Sequence, residues 1–365
     1  MRVCLYSHAF SPSIGGIETV SELLAEYLLE NGMEVSVVTQ TPCTHPDRQR
    51  YRVVRRPNNR RLRQIVREHD LLHANGMSVR AVAAAARCGV PVIVTHQSYN
   101  AGVPRSFAEL RRMVKQEGVR RLIHALASAG GMYLAHTNVC ISRYVLKRVR
   151  PPRALVIYNP IGRVFRPLPE APRNGRFAFV GRLVSDKGCD LLLRALAECG
   201  RRGCRPGLDI YGEGPQKPTL EALADAVGLS GQVGFRGSVR GESLAEAYRE
   251  SLAVVVPSVW EEPLGIVALE AMACGRAVIA SAGGGLGEVV EGVGLTFPNG
   301  DLLSLAECLV RLFEDPGLRT QLERRAITQA ERFSIDAVGT RYLALYRAAL
   351  EESLTAGELM APRRI

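Results

Sequence analysis

The sequence predicts an α/β protein of two domains, each built on a parallel sheet, and three observations carry that prediction. Uninterrupted apolar runs such as residues 252–256 (LAVVV) have the length of strands and no polar side chain, as suits a sheet covered on both faces. Helical patterns follow such runs within a few residues, so strand, helix and strand succeed one another as crossover units. The chain has 365 residues, too many for one small core and suited to two domains.

Taken in order, residues 2–7 read as a strand, and a helix with apolar spacing runs from Ile17 to Glu30, stopped by Asn31-Gly32. Residues 33–39 give the next strand. Gly15 and Gly16, in the first strand-to-helix loop, let backbone approach a bound group closely. Leu71-Leu72 ends a strand, residues 79–87 form an alanine-rich helix, and residues 91–95 form a strand that delivers His96 to its carboxyl end. Residues 100–134 form a basic helical segment whose apolar positions recur at helical spacing, read as a solvated helix with its stripe on the core. Strands follow at 139–141 and 154–158, and N-P-I-G-R-V-F-R-P reads as a linker. The expected domains are therefore 1–162 and 163–335, with a last helix over 336–352 and a loosely ordered tail from Glu351.

The second domain opens with a strand over 177–180, a loop G-R-L-V-S-D-K-G and a helix from Cys189 to Cys199. Arg182 and Lys187 in that loop supply a planar fork and a mobile point charge, a pair able to meet a diphosphate. Strands over 208–211 and 233–235 lead into G-E-G-P and R-G-S-V, the latter containing Arg236 and Val239. The stretch 252–288 then gives a strand, a helix over 264–274 behind Pro263, a strand over 277–280 and a glycine triplet. The Leu264-Gly265-Ile266 turn places unpaired helix N–H groups where a phosphate can sit. Glu262 precedes that helix and Glu270 lies within it; a carboxylate there accepts hydrogen bonds from vicinal hydroxyls. Taken alone, either glutamate is better read as a helix-dipole partner or a surface residue.

Together, E-P-L-G-I-V-A-L-E-A-M-A-C-G and A-S-A-G-G-G-L-G-E resemble the signature of retaining glycosyltransferases of family 4, the group 1 glycosyl transferases. Gly287 stands where that family usually has proline, and the loop ends in Glu288. The resemblance implies the GT-B fold: two Rossmann-like domains facing each other across a cleft, with the final helix crossing back to the first. It implies a nucleoside diphosphate sugar held by Arg182, Lys187, Leu264, Gly265, Ile266 and Glu270, with Arg236 and Val239 flanking the base. Gly15 and Gly16 would face the donor sugar and its phosphates. V-T-H resembles the family's strand-end histidine, making His96 and Glu262 the residues at the transferred sugar. Transfer with retention to a hydroxyl acceptor is the implied reaction, and the region 100–134 would help shape the acceptor site. Family frequency favours uridine diphosphate sugars, with guanosine diphosphate mannose second.

No Asp-x-Asp pair occurs, so no metal is expected to be required, and no cofactor beyond the donor co-substrate. His69 and His73 are spaced for one helix face without a third ligand, and Cys43 and His45 are likewise read as non-metal. The nine cysteines are scattered without a Cys-x-x-Cys pair and imply a reduced cytoplasmic setting. The opening MRVCLYSHAFSPS reads as a strand rather than a signal peptide, and no apolar stretch has the length of a membrane span. The net charge of +11 is concentrated in arginines at 48–67 and at Arg105, Arg111, Arg112, Lys115, Arg120 and Arg121. Codon bias accounts for part of it; an anionic partner, either membrane phospholipid or a phosphorylated acceptor, accounts for the asymmetry. Nucleic acid is disfavoured, since no recognition motif or interleaved aromatics accompany the arginines. The alternatives are a sugar-nucleotide-binding protein without catalysis and an epimerase of the same fold, which needs no acceptor.

Overall fold

The computed structural model describes residues 1–13, 15–99, 111, 115, 118–168 and 173–360. The chain divides into two compact units, Met1–Pro160 with Ile335–Ile365, and Ile161–Ser334.

Among the described residues, unit 1 carries seven strands: β1 (Arg2–Ser7), β2 (Glu34–Thr39), β3 (Arg52–Arg55), β4 (Leu71–Asn75), β5 (Val92–His96), β6 (Thr137–Cys140) and β7 (Ala154–Val156). They pair in the order β3-β2-β1-β4-β5-β6-β7, every pair parallel. The helices are α1 (Gly16–Glu30), α2 (Asn59–Arg67), α3 (Val79–Cys88), α4 (Val119–Leu134) and α5 (Arg143–Val149). Side chains of Asn58, Ser78 and Ser142 accept hydrogen bonds from the first turns of α2, α3 and α5. Strand order reverses between β1 and β4, which places the ligand crevice of this unit over their carboxyl ends.

Unit 2 repeats the plan with β8 (Arg176–Val180), β9 (Gly207–Tyr211), β10 (Val233–Gly237), β11 (Ala253–Val256), β12 (Val278–Ser281) and β13 (Leu295–Phe297), ordered β10-β9-β8-β11-β12-β13 and parallel throughout. Its helices are α6 (Cys189–Arg201), α7 (Lys217–Ala226), α8 (Gly241–Glu250), α9 (Ile266–Ala273), α10 (Gly284–Val290), α11 (Leu302–Glu314) and α12 (Pro316–Ala330). Phe177, Phe179, Leu192, Ile210, Val255, Ile279 and Leu309 meet in one core cluster. Here the order reverses between β8 and β11, so the loops after those two strands flank the crevice. The fold is the two-domain, Rossmann-like GT-B architecture that the motifs implied.

Several expectations are corrected. His69 and His73 do not share a helix: His69 follows α2 and His73 lies inside β4, because Leu71-Leu72 begins that strand rather than ending it. The tail from Glu351, expected to be loose, continues the last helix, α13 (Ile335–Met360). In the segment 100–134, α4 covers Val119–Leu134, and most of residues 100–117 lie outside the described residues. Its stripe does not pack inward as expected. Ala125, Ser128 and Met132 face the core, while Val119, Ile123, Leu126, Tyr133 and Leu134 are exposed. Among the described residues no helix is long and apolar enough to cross a membrane.

The last helix is fastened to the unit 1 sheet by a buried polar chain. Tyr346 Oη lies 2.7 Å from His73 Nδ1, His73 Nε2 lies 2.8 Å from Thr95 Oγ1, and Thr95 Oγ1 lies 3.0 Å from Tyr342 Oη. Nδ1 accepts from the Tyr346 hydroxyl when the imidazole proton sits on Nε2, which then donates to Thr95 Oγ1. Burial pushes the His73 pKa from 6.5 down to about 3, so the folded chain keeps it neutral. The unfolded chain takes up that proton, so stability falls as pH drops through about 6.5 and continues to fall until about 3. Tyr346→Phe strands the buried Nδ1 and is expected to cost about 1–3 kcal/mol. Urea denaturation at neutral pH checks this, and an unchanged midpoint would show that the chain carries no stability.

Candidate functional site

The loop after β8 holds Gly181, Arg182, a single 3₁₀ turn over Ser185–Lys187, and Gly188. Gly188 has φ +68°, and a Cβ there would overlap the Pro257 carbonyl oxygen. Only glycine allows this loop to press against the loop after β11, and the contact brings Lys187 to Glu262. Lys187 Nζ donates to Glu262 Oε1 at 2.6 Å, and Ser258 Oγ donates to the same oxygen at 2.7 Å. The lysine side chain is 21% exposed and the glutamate 10%, so the pair is shielded without being sealed. Lys187 Nζ also lies 5.5 Å from the centre of the Trp260 ring, a cation–π contact. Arg182 is exposed, and its side chain has no hydrogen bond or ion pair among the described residues.

Two backbone clamps fix Glu262. Gly285 N donates to the Glu262 carbonyl at 2.7 Å, and Gly284, at φ +76°, has no room for a Cβ beside that oxygen. Asn299, just beyond β13, receives a hydrogen bond from Gly283 N and donates to the carbonyls of Ser258 and Trp260. One amide thus ties the glycine triplet to the Glu262 loop. Gly287 sits in α10 with the Ala282 carbonyl where a side chain would be, a local reason for glycine at that position.

Behind the loop, Gly265 (φ +86°) opens α9, and Leu264 beside it is buried. Glu270 Oε2 accepts a hydrogen bond from Tyr248 Oη at 2.9 Å. Burial raises the Glu270 pKa to about 7, opposed by the Tyr248 hydrogen bond. Arg236, expected beside a base, donates to Asp209 Oδ1 at 2.9 Å and shares that carboxylate with Arg176. Val239 is half-buried in the loop between β10 and α8. The structure thus gathers Lys187, Glu262 and the glycine triplet. Ser258, Asn299 and Tyr248 were missed: N-G in P-N-G reads only as a turn, and serine and tyrosine carried no spacing signal.

In unit 1, Gly15 and Gly16 introduce α1, with Gly15 extended. His96 ends β5, where its Nε2 lies 2.9 Å from Asn138 Oδ1. Asn138 donates its amide to the carbonyls of Met132 and Pro152, which orients its oxygen toward the ring. His96 Nε2 therefore carries the proton, and Nδ1 is a buried acceptor with no hydrogen-bond partner among the described residues. Burial lowers the pKa of this imidazole and favours its neutral form. Nearby, Asn75 donates to Ser21 Oγ and accepts from Gln97, and Gln97 and Asn159 exchange amide hydrogen bonds. No group of three His, Cys, Asp or Glu side chains with metal-holding geometry occurs among the described residues.

Residues 14–162 match the model of Glycosyltransferase Family 4, and residues 163–329 that of Glycosyl transferases group 1. An uncharacterized glycosyltransferase of Methanocaldococcus jannaschii is 28% identical over 96% of this chain and 99% of its own. A D-inositol 3-phosphate glycosyltransferase of Salinispora tropica is 38% identical, the match spanning 49% of this chain and 39% of that protein. Among solved structures, a sucrose-phosphate synthase from Thermosynechococcus elongatus superposes with a TM-score of 0.77 at 22% identity, covering 96% of this chain and 99% of the other. Anabaena HepE in complex with UDP gives 0.77 at 19%, covering 95% and 100%. At such identities the likeness to the solved structures is one of fold. With its two halves matched by the two family models, the chain belongs to the group 1 glycosyl transferases of glycosyltransferase family 4.

Proposed function

We propose that this glycosyltransferase moves a hexosyl group, with retention, from a nucleoside diphosphate sugar to a hydroxyl acceptor. The observation that carries the reading is the Lys187–Glu262 pair, with the unpartnered Arg182 in the same loop as Lys187, at the strand-order reversal of unit 2. A diphosphate would meet Arg182, Lys187 and the first N–H groups of α9, which together offset the charge that builds on the leaving group. Lys187 has three N–H donors and gives one to Glu262, so it can serve phosphate without releasing the carboxylate. The second Glu262 oxygen is then the acceptor for donor-sugar hydroxyls. In unit 1, the bare Nδ1 of His96 is an acceptor of the same kind. The leaving phosphate, on the face where the acceptor attacks, would help remove the acceptor proton, so no protein nucleophile is assigned.

Uridine diphosphate sugars are the favoured donors, with guanosine diphosphate mannose second; the support is that HepE has been solved with UDP and with UDP-glucose. A phosphorylated or lipid-linked glycan, or a small metabolite, is the proposed acceptor class. Its support is the net charge of +11 and the D-inositol 3-phosphate named for one relative. The same charge supports weak association with anionic membrane, and the nine free cysteines support a cytoplasmic setting.

Two measurements check this reading. A panel of nucleotide sugars assayed for donor hydrolysis and transfer should single out a UDP-sugar, at a rate that excess EDTA leaves unchanged. A rate that collapses on chelation and returns with Mg²⁺ would contradict the metal-free mechanism, and inactivity across the panel would contradict catalysis.

Glu270 gives a pH signature. Ribose hydroxyls donating to it favour the carboxylate, so affinity for an intact nucleotide sugar should rise with pH through about 7. Glu270→Gln should flatten that rise and weaken binding, as calorimetry across this range would show. An unaltered profile in the variant would remove Glu270 from the ribose site.

A further inference from the structure

We infer that Trp260 is a positioning residue of the donor site: its indole face steadies the Lys187 ammonium and leaves that cation's charge available to a diphosphate. The inference rests on the proposed reading of Lys187 as a phosphate cation and adds a residue to it. Trp260 is the single tryptophan of the chain and lies in the loop after β11, between Ser258 and Glu262. Lys187 Nζ stands over its ring, 5.5 Å from the centre. Both backbones are held in place. Asn299 Nδ2 donates to the Trp260 carbonyl at 3.0 Å, and Val259 N donates at 3.0 Å to the carbonyl of Asp186. The loops that carry the ring and the ammonium are thus hydrogen-bonded to each other through the residues immediately preceding them.

Lysine ends in a compact, strongly hydrated charge on a flexible stem, so one hydrogen bond to Glu262 leaves the ammonium free to swing about that oxygen. A second carboxylate at position 260 would hold it as firmly. It would also turn the neutral Lys187–Glu262 pair into a net anion that repels phosphate. An indole attracts the cation through the negative face of its π-system and brings no charge. Lys187 is therefore gripped on two sides, by a carboxylate oxygen and by a ring, with N–H groups still free for a ligand. The lysine side chain is 21% exposed, so water reaches it in the free protein. A bound diphosphate would displace that water, and the contact strengthens as the local dielectric falls. The ring then contributes more to the occupied site than to the empty one, and the difference appears as donor affinity.

Because position 260 holds the only tryptophan, fluorinated tryptophans supplied during expression enter at this site alone. Fluorine withdraws negative charge from the ring face while almost keeping its shape. Calorimetry of the full chain with uridine diphosphate is carried through the unlabelled, monofluoro, difluoro and trifluoro forms. Affinity should fall at each step, by about five- to tenfold at the last, the gap between an exposed and a desolvated cation–π contact. In the Lys187→Met background the dependence on fluorine should vanish. Trp260→Phe should fall between the unlabelled protein and Trp260→Leu, which keeps apolar bulk without a π face. The fluorinated series does not depend on whether Trp260→Leu folds. A tryptophan that only packs would show no trend with fluorine, and that flat series would overturn the inference while leaving the donor site standing. A trend that persists in Lys187→Met would also overturn it, because the ring would then act on the ligand directly. Unlabelled protein that binds neither uridine nor guanosine diphosphate would overturn the donor-site reading and this inference together.

Discussion

The contact between Lys187 and Glu262 is the constraint to which the rest of unit 2 is fitted. The two residues come from the loops after β8 and β11, the neighbouring strands at which strand order reverses. Their approach requires a residue without a side chain at 188, another at 284, and an amide at 299 that holds three backbone groups at once. Truncating one partner of a shielded ion pair leaves the other charge without its counterion, a change more costly than loss of an exposed pair. The arrangement therefore keeps a cation and an anion in fixed register at the sheet rim, where a ligand carrying both phosphate and hydroxyl groups can use each.

Unit 1 solves a related problem with neutral groups. At the carboxyl ends of β4 and β5, the side chains of Asn75, Gln97, Asn159 and Ser21 satisfy one another, and His96 is held by an asparagine whose own amide is committed to two carbonyls. Such a hydrogen-bonded rim is rigid, and at its edge it holds an oriented imidazole whose Nδ1 stays bare. Deeper in the sheet, His73 serves stability rather than the rim, joining β4 to α13 through Tyr346 and Thr95.

Much of this was legible in the sequence. Apolar runs and glycine stops located most strands and the first helix of each unit, and the E-P-L-G…E pattern led directly to Glu262. Three things were hidden for physical reasons. Asn299 acts on backbone groups that are distant in sequence, and such contacts leave no periodic trace. Tyr248 pairs with Glu270 across two helices, so neither residue announces the other. The face of α4 was misread because periodicity reports that a helix has an apolar side without saying which way that side turns. Small residues pack that helix closely, and the larger side chains remain outside. His69 and His73 show the same limit, since a spacing of four means a shared face only if both lie in a helix.

The most direct test of the proposed donor site is calorimetry of a nucleoside diphosphate with Lys187→Met, Glu262→Gln and the double variant. Lys187→Met should lose roughly tenfold or more in affinity, the loss of a charge-assisted contact worth about 1.5–3 kcal/mol. Glu262→Gln should bind the diphosphate as well as wild type or better, because the lysine is then released from its carboxylate, and the double variant should match Lys187→Met. Equal losses in the two single variants would contradict the account, because the pair would then act only as a structural tie and not as a phosphate cation beside a sugar acceptor.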